Sequence, residues 1–298
     1  MSRALEIVEV GPRDGLQSES TVLDPKTRLE LIVLLIEAGV RRIEVASFVN
    51  PERVPQMAGA EEVVSGLPDD DSVSYIGLVL NHRGLQRALE TKLDEINFVV
   101  AASDGYNRSN QRASVDETLA ELVTMIPEAQ AARRRASVTI SVAFGDPFDG
   151  EVPVQRLARV AQRVAEAGVD ELALGDTIGV ASPADVAERI EAVHAVAGGA
   201  PIRCHFHNTR NTGYANAVAA IDAGARSLDA SVGGYGGSPF TTDAGGNIAT
   251  EDLAYMLGRM GIEHHLAVDR LVTTAAWLEE KLGSPAKAML GRAGGFPS

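Results

Sequence analysis

Two histidines separated by one residue, His205-Phe206-His207, are the sharpest chemical signal in the chain. Alternate side chains of a β-strand share a face, so both imidazoles can reach one ion. Two imidazoles joined by carboxylate and amide oxygens suit a divalent metal with mixed nitrogen and oxygen ligation. Asp14 can supply the carboxylate and Asn247 an amide oxygen. Taken alone, the pair could equally be strand-end histidines satisfied by hydrogen bonds. Arg13 precedes Asp14 directly, which sets a cation beside a ligand. A fixed cation in a dry site stabilises an oxygen that gains charge in a transition state. Glu44 could orient that guanidinium by a charge-assisted hydrogen bond, or the two could form an ordinary ion pair. Lys26, Lys92, Lys281 and Lys287 are the only lysines, and none ends an expected strand. Imine chemistry wants a desolvated strand-end lysine, so metal-assisted polarisation is the better fit.

The elements that must position these residues alternate between two periods. Short β-rich runs fall at Leu5–Val10, Arg42–Ala46, Ser74–Leu80, Glu95–Val100, Ser137–Ala143, Glu171–Leu174, Ile202–Phe206 and Ser227–Ser231. Helical spacing fills the gaps, as in Thr27–Ala38, Val115–Arg133, Val154–Ala167 and Pro183–Val196. Asp24-Pro25 reads as a helix start, and the Ala-Gly-Val at 38–40 and 167–169 as helix stops. Eight strand–helix units in series predict an α/β chain folded as a (β/α)8 TIM barrel, with a doubly wound sheet as the runner-up. Residues 1–260 would form the barrel and 261–298 a C-terminal helical extension with a helix near Leu271–Leu282.

Barrel chemistry sits where the loops leave the C-terminal strand ends, and the polar residues collect there. Arg13-Asp14 follows strand 1, while Glu44 and Ser47 end strand 2. Asp176-Thr177 follows strand 6, and the two histidines end strand 7. Zinc hydrolases of the barrel type compete for this reading, but they usually carry the histidine pair on the first strand. The glycine-rich stretch 233–246 after strand 8 could be a lid, a tight connection or a phosphate cradle. It lacks a dinucleotide-binding glycine spacing. Cys204 should face away from His205 and be inert.

The chain has 298 residues and a net charge of -14, from 27 Lys+Arg against 41 Asp+Glu. Hydrophobic residues make up 45%, enough for a sizeable core. The acidic balance argues against a nucleic-acid partner. A single cysteine excludes an intrachain disulfide. No signal segment and no run of about 18 apolar residues is present, so the expectation is a soluble, cytoplasmic protein with no membrane partner.

Several long segments together resemble the hydroxymethylglutaryl-CoA lyase family, within a wider group of metal-dependent barrel lyases and Claisen-type synthases. They are Val8-Glu9-Val10-Gly11-Pro12-Arg13-Asp14-Gly15-Leu16-Gln17, Ile43-Glu44-Val45-Ala46-Ser47-Phe48-Val49 and Val54-Pro55-Gln56-Met57. Leu174-Gly175-Asp176-Thr177-Ile178-Gly179, His205-Phe206-His207-Asn208-Thr209 and Gly246-Asn247-Ile248-Ala249-Thr250-Glu251-Asp252 continue the match in order. The resemblance implies retro-aldol (Claisen-type) cleavage of a 3-hydroxyacyl-CoA to acetyl-CoA and a keto acid, acetoacetate for hydroxymethylglutaryl-CoA. It implies Mg2+ or Mn2+ on Asp14, His205, His207 and Asn247, and a catalytic set of Arg13, Glu44, His205 and Ser238. Gln17, Asp176, Thr177, Arg210 and Glu251 would contact substrate or support the site. A homodimer is the expected assembly. Ser238 stands where the family's lid loop usually carries a cysteine, which looks like the family's proton-transfer group. Arg210 is a second departure. A lyase or synthase for a different acyl-CoA, or a metal- or acyl-CoA-binding barrel of little activity, therefore stays open.

Overall fold

A computed structural model describes residues 5–237 and 246–296. Eight parallel strands close on themselves in sequence order. They are β1 (Glu6–Glu9), β2 (Arg42–Ser47), β3 (Ser74–Val79), β4 (Glu95–Ala101), β5 (Arg135–Ser141), β6 (Glu171–Asp176), β7 (Ile202–Phe206) and β8 (Ser227–Ala230). The helices between them are α1 (Pro25–Glu37), α2 (Ala60–Gly66), α3 (His82–Leu89), α4 (Asp104–Gln111), α5 (Val115–Ala131), α6 (Val154–Glu166), α7 (Pro183–His194) and α8 (Gly213–Ala223). After β8 come α9 (Thr250–Arg259), α10 (Val268–Leu282) and α11 (Leu290–Ala293). The (β/α)8 barrel expected from the alternation is the fold found. No helix among the described residues is long and apolar enough to cross a membrane.

Local chemistry explains the boundaries. Asp24 caps α1 by accepting the Thr27 N–H at 2.8 Å, and Pro25 occupies the first helical position. Gly39 and Gly168, the glycines of the repeated Ala-Gly-Val, turn the chain at φ +96° and +83°. A side chain there would be strained, and at Gly39 it would also strike the His265 carbonyl. Ile43, Val45, Ile96, Phe98, Val138 and Ile140 face outward from their strands into the layer beneath the helices and are fully buried.

The inward positions are unusually polar. Arg42 lies at the N-terminal end of the barrel and is 2% exposed. Its guanidinium bonds Glu95 at 2.8 Å, Glu171 at 2.5 Å and Glu6 at 2.7 Å. This ionic layer closes the barrel floor. One step higher, Val8 and Ile76 pack inside the barrel.

Two local departures from the expected strands matter for the site. Glu44 sits in the middle of β2, not at its end, because the strand runs on to Ser47. A bulge between Glu44 and Ala46 then resets the alternation, pairing Ser47 with Leu78. His207 lies one residue beyond β7 and instead forms an isolated antiparallel bridge with Asn247.

Candidate active site

Strand β1 ends in a five-residue π-type turn, Gly11–Gly15, that carries Arg13 and Asp14. Wide turns of this kind recur at functional sites because they re-aim side chains. Arg13 Nη1 donates to Asp14 Oδ1 at 2.6 Å, and its Nε donates to Glu44 Oε2 at 2.5 Å. Glu44 Oε1 accepts from Asn97 Nδ2 at 2.8 Å, so an inward chain from β4 fixes the carboxylate that fixes the arginine. The guanidinium is held on two edges and has little freedom left.

The other oxygen of Asp14 faces the histidines. Asp14 Oδ2 lies 3.8 Å from His205 Nε2 and 4.0 Å from His207 Nε2. The two Nε2 atoms are 3.0 Å apart. Asn247 Nδ2 donates to Asp14 Oδ2 at 2.8 Å and to the Tyr235 carbonyl at 3.0 Å. The His207–Asn247 bridge is what brings the residue after the glycine-rich loop into this cluster.

Charge sharpens the picture. Burial acts to raise the Asp14 pKa, but Arg13 and His205, helped by the Asn247 hydrogen bond, outweigh it and hold the carboxyl well below its usual range. Burial and the neighbouring charge of His205 push His207 down to about 3, so its imidazole is neutral near pH 7. At His205 burial acts downward, but the bond to Asp229 and the charge on Asp14 raise the pKa.

The residues present fit a divalent cation. Asp14, His205 and His207 each offer one ligand atom, all within 4.8 Å of one another. His205 Nδ1 lies 3.1 Å from Asp229 Oδ2. A proton on Nδ1 in that bond leaves the Nε2 lone pair facing the cluster. Asn247 Oδ1 is buried with no hydrogen-bond partner, an arrangement that costs about 1–3 kcal/mol unless a cation or donor meets it. No thiolate takes part, and a carboxylate, an amide oxygen and two imidazoles suit Mg2+ or Mn2+ better than a structural zinc.

The cluster opens on a cavity of about 440 Å3 at the C-terminal mouth of the barrel. Gln17 and Thr177 line it. Thr177 Oγ1 also accepts the Val142 N–H at 2.8 Å. The other expected support residues hold loops. Asp176 accepts the N–H groups of Val180 and Ala181. Burial pushes its pKa up to about 6. Glu251 accepts the Gly233 N–H at 3.0 Å. Arg210 donates to the Ile178 and Gly179 carbonyls at 2.8 and 2.9 Å, bracing the loop after β6. Ser238 lies outside the described residues, as does most of the stretch read as a lid.

Three site residues stand outside the candidates that the sequence offers: Asn97, described above beside Glu44, Asp229 and Tyr106. Asp229 pairs in register with His205 across β7 and β8. Its signal was available, because it occupies an inward position of β8 two residues after Ser227. Tyr106, in the first turn of α4, also lines the cavity. Only its place just after a strand end marked it. Cys204 behaves as expected: it is fully buried on the outward face of β7, and burial drives its pKa far up.

The family described as HMGL-like matches residues 4–278. The (R)-citramalyl-CoA lyase of Chloroflexus aurantiacus is 41% identical, over 98% of this chain and 95% of its own. A hydroxymethylglutaryl-CoA lyase of Bacillus subtilis is 39% identical, over 95% of each chain. The solved structure of an HMG-CoA lyase from Acinetobacter baumannii, in complex with coenzyme A and 3-methylmalate, superposes with a TM-score of 0.94 at 34% identity. That match covers 100% of this chain and 99% of the other. The chain therefore belongs to the HMGL-like family and is a carbon–carbon lyase.

Proposed function

We propose that the protein cleaves the C2–C3 bond of a 3-hydroxyacyl-CoA of the 3-hydroxy-3-methylglutaryl-CoA type, with Mg2+ or Mn2+ as cofactor. The products are acetyl-CoA and a keto acid, acetoacetate when that ester is the substrate. One observation carries the reading: a single carboxylate, Asp14, joins the Arg13 guanidinium on one oxygen to two imidazoles on the other, at an open cavity. A bond cleavage that pushes electrons from an alkoxide towards a thioester needs both halves. The coenzyme A and hydroxy-dicarboxylate bound to the Acinetobacter relative support an acyl-CoA substrate of this kind.

Asp14, His205, His207 and Asn247 would hold the metal. A divalent ion there would supply Lewis-acid polarisation of the C3 hydroxyl and so lower the cost of removing its proton. Arg13 then meets the negative charge that grows on the thioester oxygen as the C2–C3 bond breaks. Glu44 and Asn97 keep the guanidinium from swinging towards solvent. Asp229 keeps the His205 ring turned with Nε2 inward.

The relative that acts on (R)-citramalyl-CoA favours a second reading, a shorter 3-hydroxy-3-methyl ester with the same chemistry. Turnover decides between them. 3-Hydroxy-3-methylglutaryl-CoA and both enantiomers of citramalyl-CoA are each offered with Mn2+, and acetyl-CoA release is followed. Cleavage of the first with the higher kcat/KM supports the primary reading. A higher value for a citramalyl ester moves the assignment to the second, and no acetyl-CoA from any ester removes both.

A further inference from the structure

We propose that the phenol of Tyr106 is the acid that protonates C2 of the departing acetyl-CoA. The assignment rests on the lyase reading above and adds the proton donor that reading lacks. Cleavage takes a proton from the C3 hydroxyl, turns that C–O bond into a carbonyl and leaves the C2–C3 electron pair on C2 as a thioester enolate. A proton must then reach C2 to make the methyl group of acetyl-CoA. The C3 hydroxyl proton passes to water at the open mouth of the cavity and the phenolate takes one proton back from that water, so the cycle balances and nothing is oxidised or reduced.

Among the described residues the cavity offers few acids for that step. No thiol serves, because Cys204 is the only cysteine and faces away from the barrel interior. Asp14 and the two histidines are the residues that would hold the metal, Arg13 faces the thioester oxygen in the reading above, and Asp229 orients His205. Arg53 and Glu121 are exposed at the rim. Tyr106 is half-buried and lines the same cavity as Asp14 and His205.

Its position is built, not incidental. The Tyr106 N–H donates to Asp146 Oδ2 at 3.1 Å, and the Ser103 hydroxyl donates to the same oxygen. Asp146 itself is buried and takes the Phe148 N–H at 2.6 Å on its other oxygen. The turn from β4 into α4 is thereby tied to the loop after β5, which fixes where the Tyr106 ring begins. Burial, reinforced by the charges of Asp14 and Asp146, raises the phenol to about 12, so it is protonated at neutral pH as a donor must be. Arg13 acts in the opposite sense on the phenol.

The test is Tyr106→Phe, which keeps the ring and removes the proton. Two rates are read with Mn2+ present: ester cleavage, and exchange of the acetyl-CoA methyl hydrogens with deuterium from heavy water, followed by NMR. The expected result is a kcat about 100-fold or more below the parent with KM changed by less than about threefold, and loss of exchange. Mn2+ affinity by calorimetry should stay at the parent value, which separates a lost proton donor from a collapsed site. Parent-like exchange in Tyr106→Phe overturns the assignment while leaving the lyase reading intact. Exchange kept there but lost in Ser238→Ala overturns it in favour of the serine. A parent that neither cleaves nor exchanges overturns the lyase reading and this assignment together.

Discussion

At the scale of single residues, the site is a set of nested constraints. Asn97 holds Glu44, Glu44 holds Arg13, and Arg13 shares Asp14 with the two imidazoles. Removing a ligand and removing a positioning group should therefore differ in degree. His207→Ala should abolish Mn2+ binding by calorimetry together with turnover, and unchanged affinity would take His207 out of the site. Asp229→Asn should weaken Mn2+ by about 10–100-fold, the usual loss when a ligand's supporting hydrogen bond is cut. Arg13→Met should lower kcat by about 100-fold or more with Mn2+ affinity retained, because the guanidinium serves the transition state. Much of this was legible. His205 and His207 stand two apart, and Arg13-Asp14 and Asn247 carry the family resemblance. Asp229 and Tyr106 were not read, because their roles depend on which strand lies beside which and on how a helix turn is tied down. Arg210, expected to contact substrate or support the site, braces the loop after β6 through two bonds from Nη1, to the carbonyls of Ile178 and Gly179.

At the scale of elements, two buried carboxyls tie the site's loops together. Glu9, at the end of β1, accepts the N–H groups of Gly11 and Val232 and the Thr250 hydroxyl. Glu251, in the first turn of α9, takes the N–H of Gly233. Burial lifts Glu9 to about 7 and Glu251 to about 8, against an ordinary value of 4.5. The folded state thus keeps protons that the unfolded chain has already released. The associated stability is complete below pH 4.5 and is lost as pH rises through about 7 and 8. Glu251→Gln should flatten that loss, so its thermal midpoint relative to the parent should be higher at pH 9 than at pH 5. Parallel curves would contradict it. The strand and helix runs were legible from period and punctuation: Asp24-Pro25 and the two Ala-Gly-Val stops behave as their chemistry requires. The π-type turn at Gly11–Gly15 and the bulge after Glu44 were not, because each departs from the regular repeat that the sequence pattern reports.

At the scale of the molecule, the proposed function asks an acidic chain to hold an anion. The net charge of -14 describes the whole surface, whereas a cleft is governed by its local field. Arg13, together with a cation held by Asp14, His205 and His207, would set that field at one end of the barrel. The other end is closed by the Arg42, Glu95 and Glu171 cluster, where burial acts upward on Glu171 but Arg203, Arg42 and Arg135 together hold it down to about 2. Breaking a buried ion pair strands its partners, so Arg42→Leu should cost about 3–5 kcal/mol by urea denaturation. A cost under about 1 kcal/mol would show that this layer is not structurally needed. The C-terminal segment links the two ends. The Ala267 N–H donates to the Ala38 carbonyl near the floor, and α10 then carries the chain up to Lys287, whose N–H donates to Gly233 beside the site. The central claim is that Asp14, His205, His207 and Asn247 form the metal centre of an acyl-CoA lyase. Its most direct test is acetyl-CoA release from 3-hydroxy-3-methylglutaryl-CoA and citramalyl-CoA by the protein stripped with chelator and then reloaded with Mn2+. Release that vanishes on stripping, returns with Mn2+ and is absent in Asp14→Asn is the predicted result. Equal release by stripped and reloaded protein, or none from either, would contradict it.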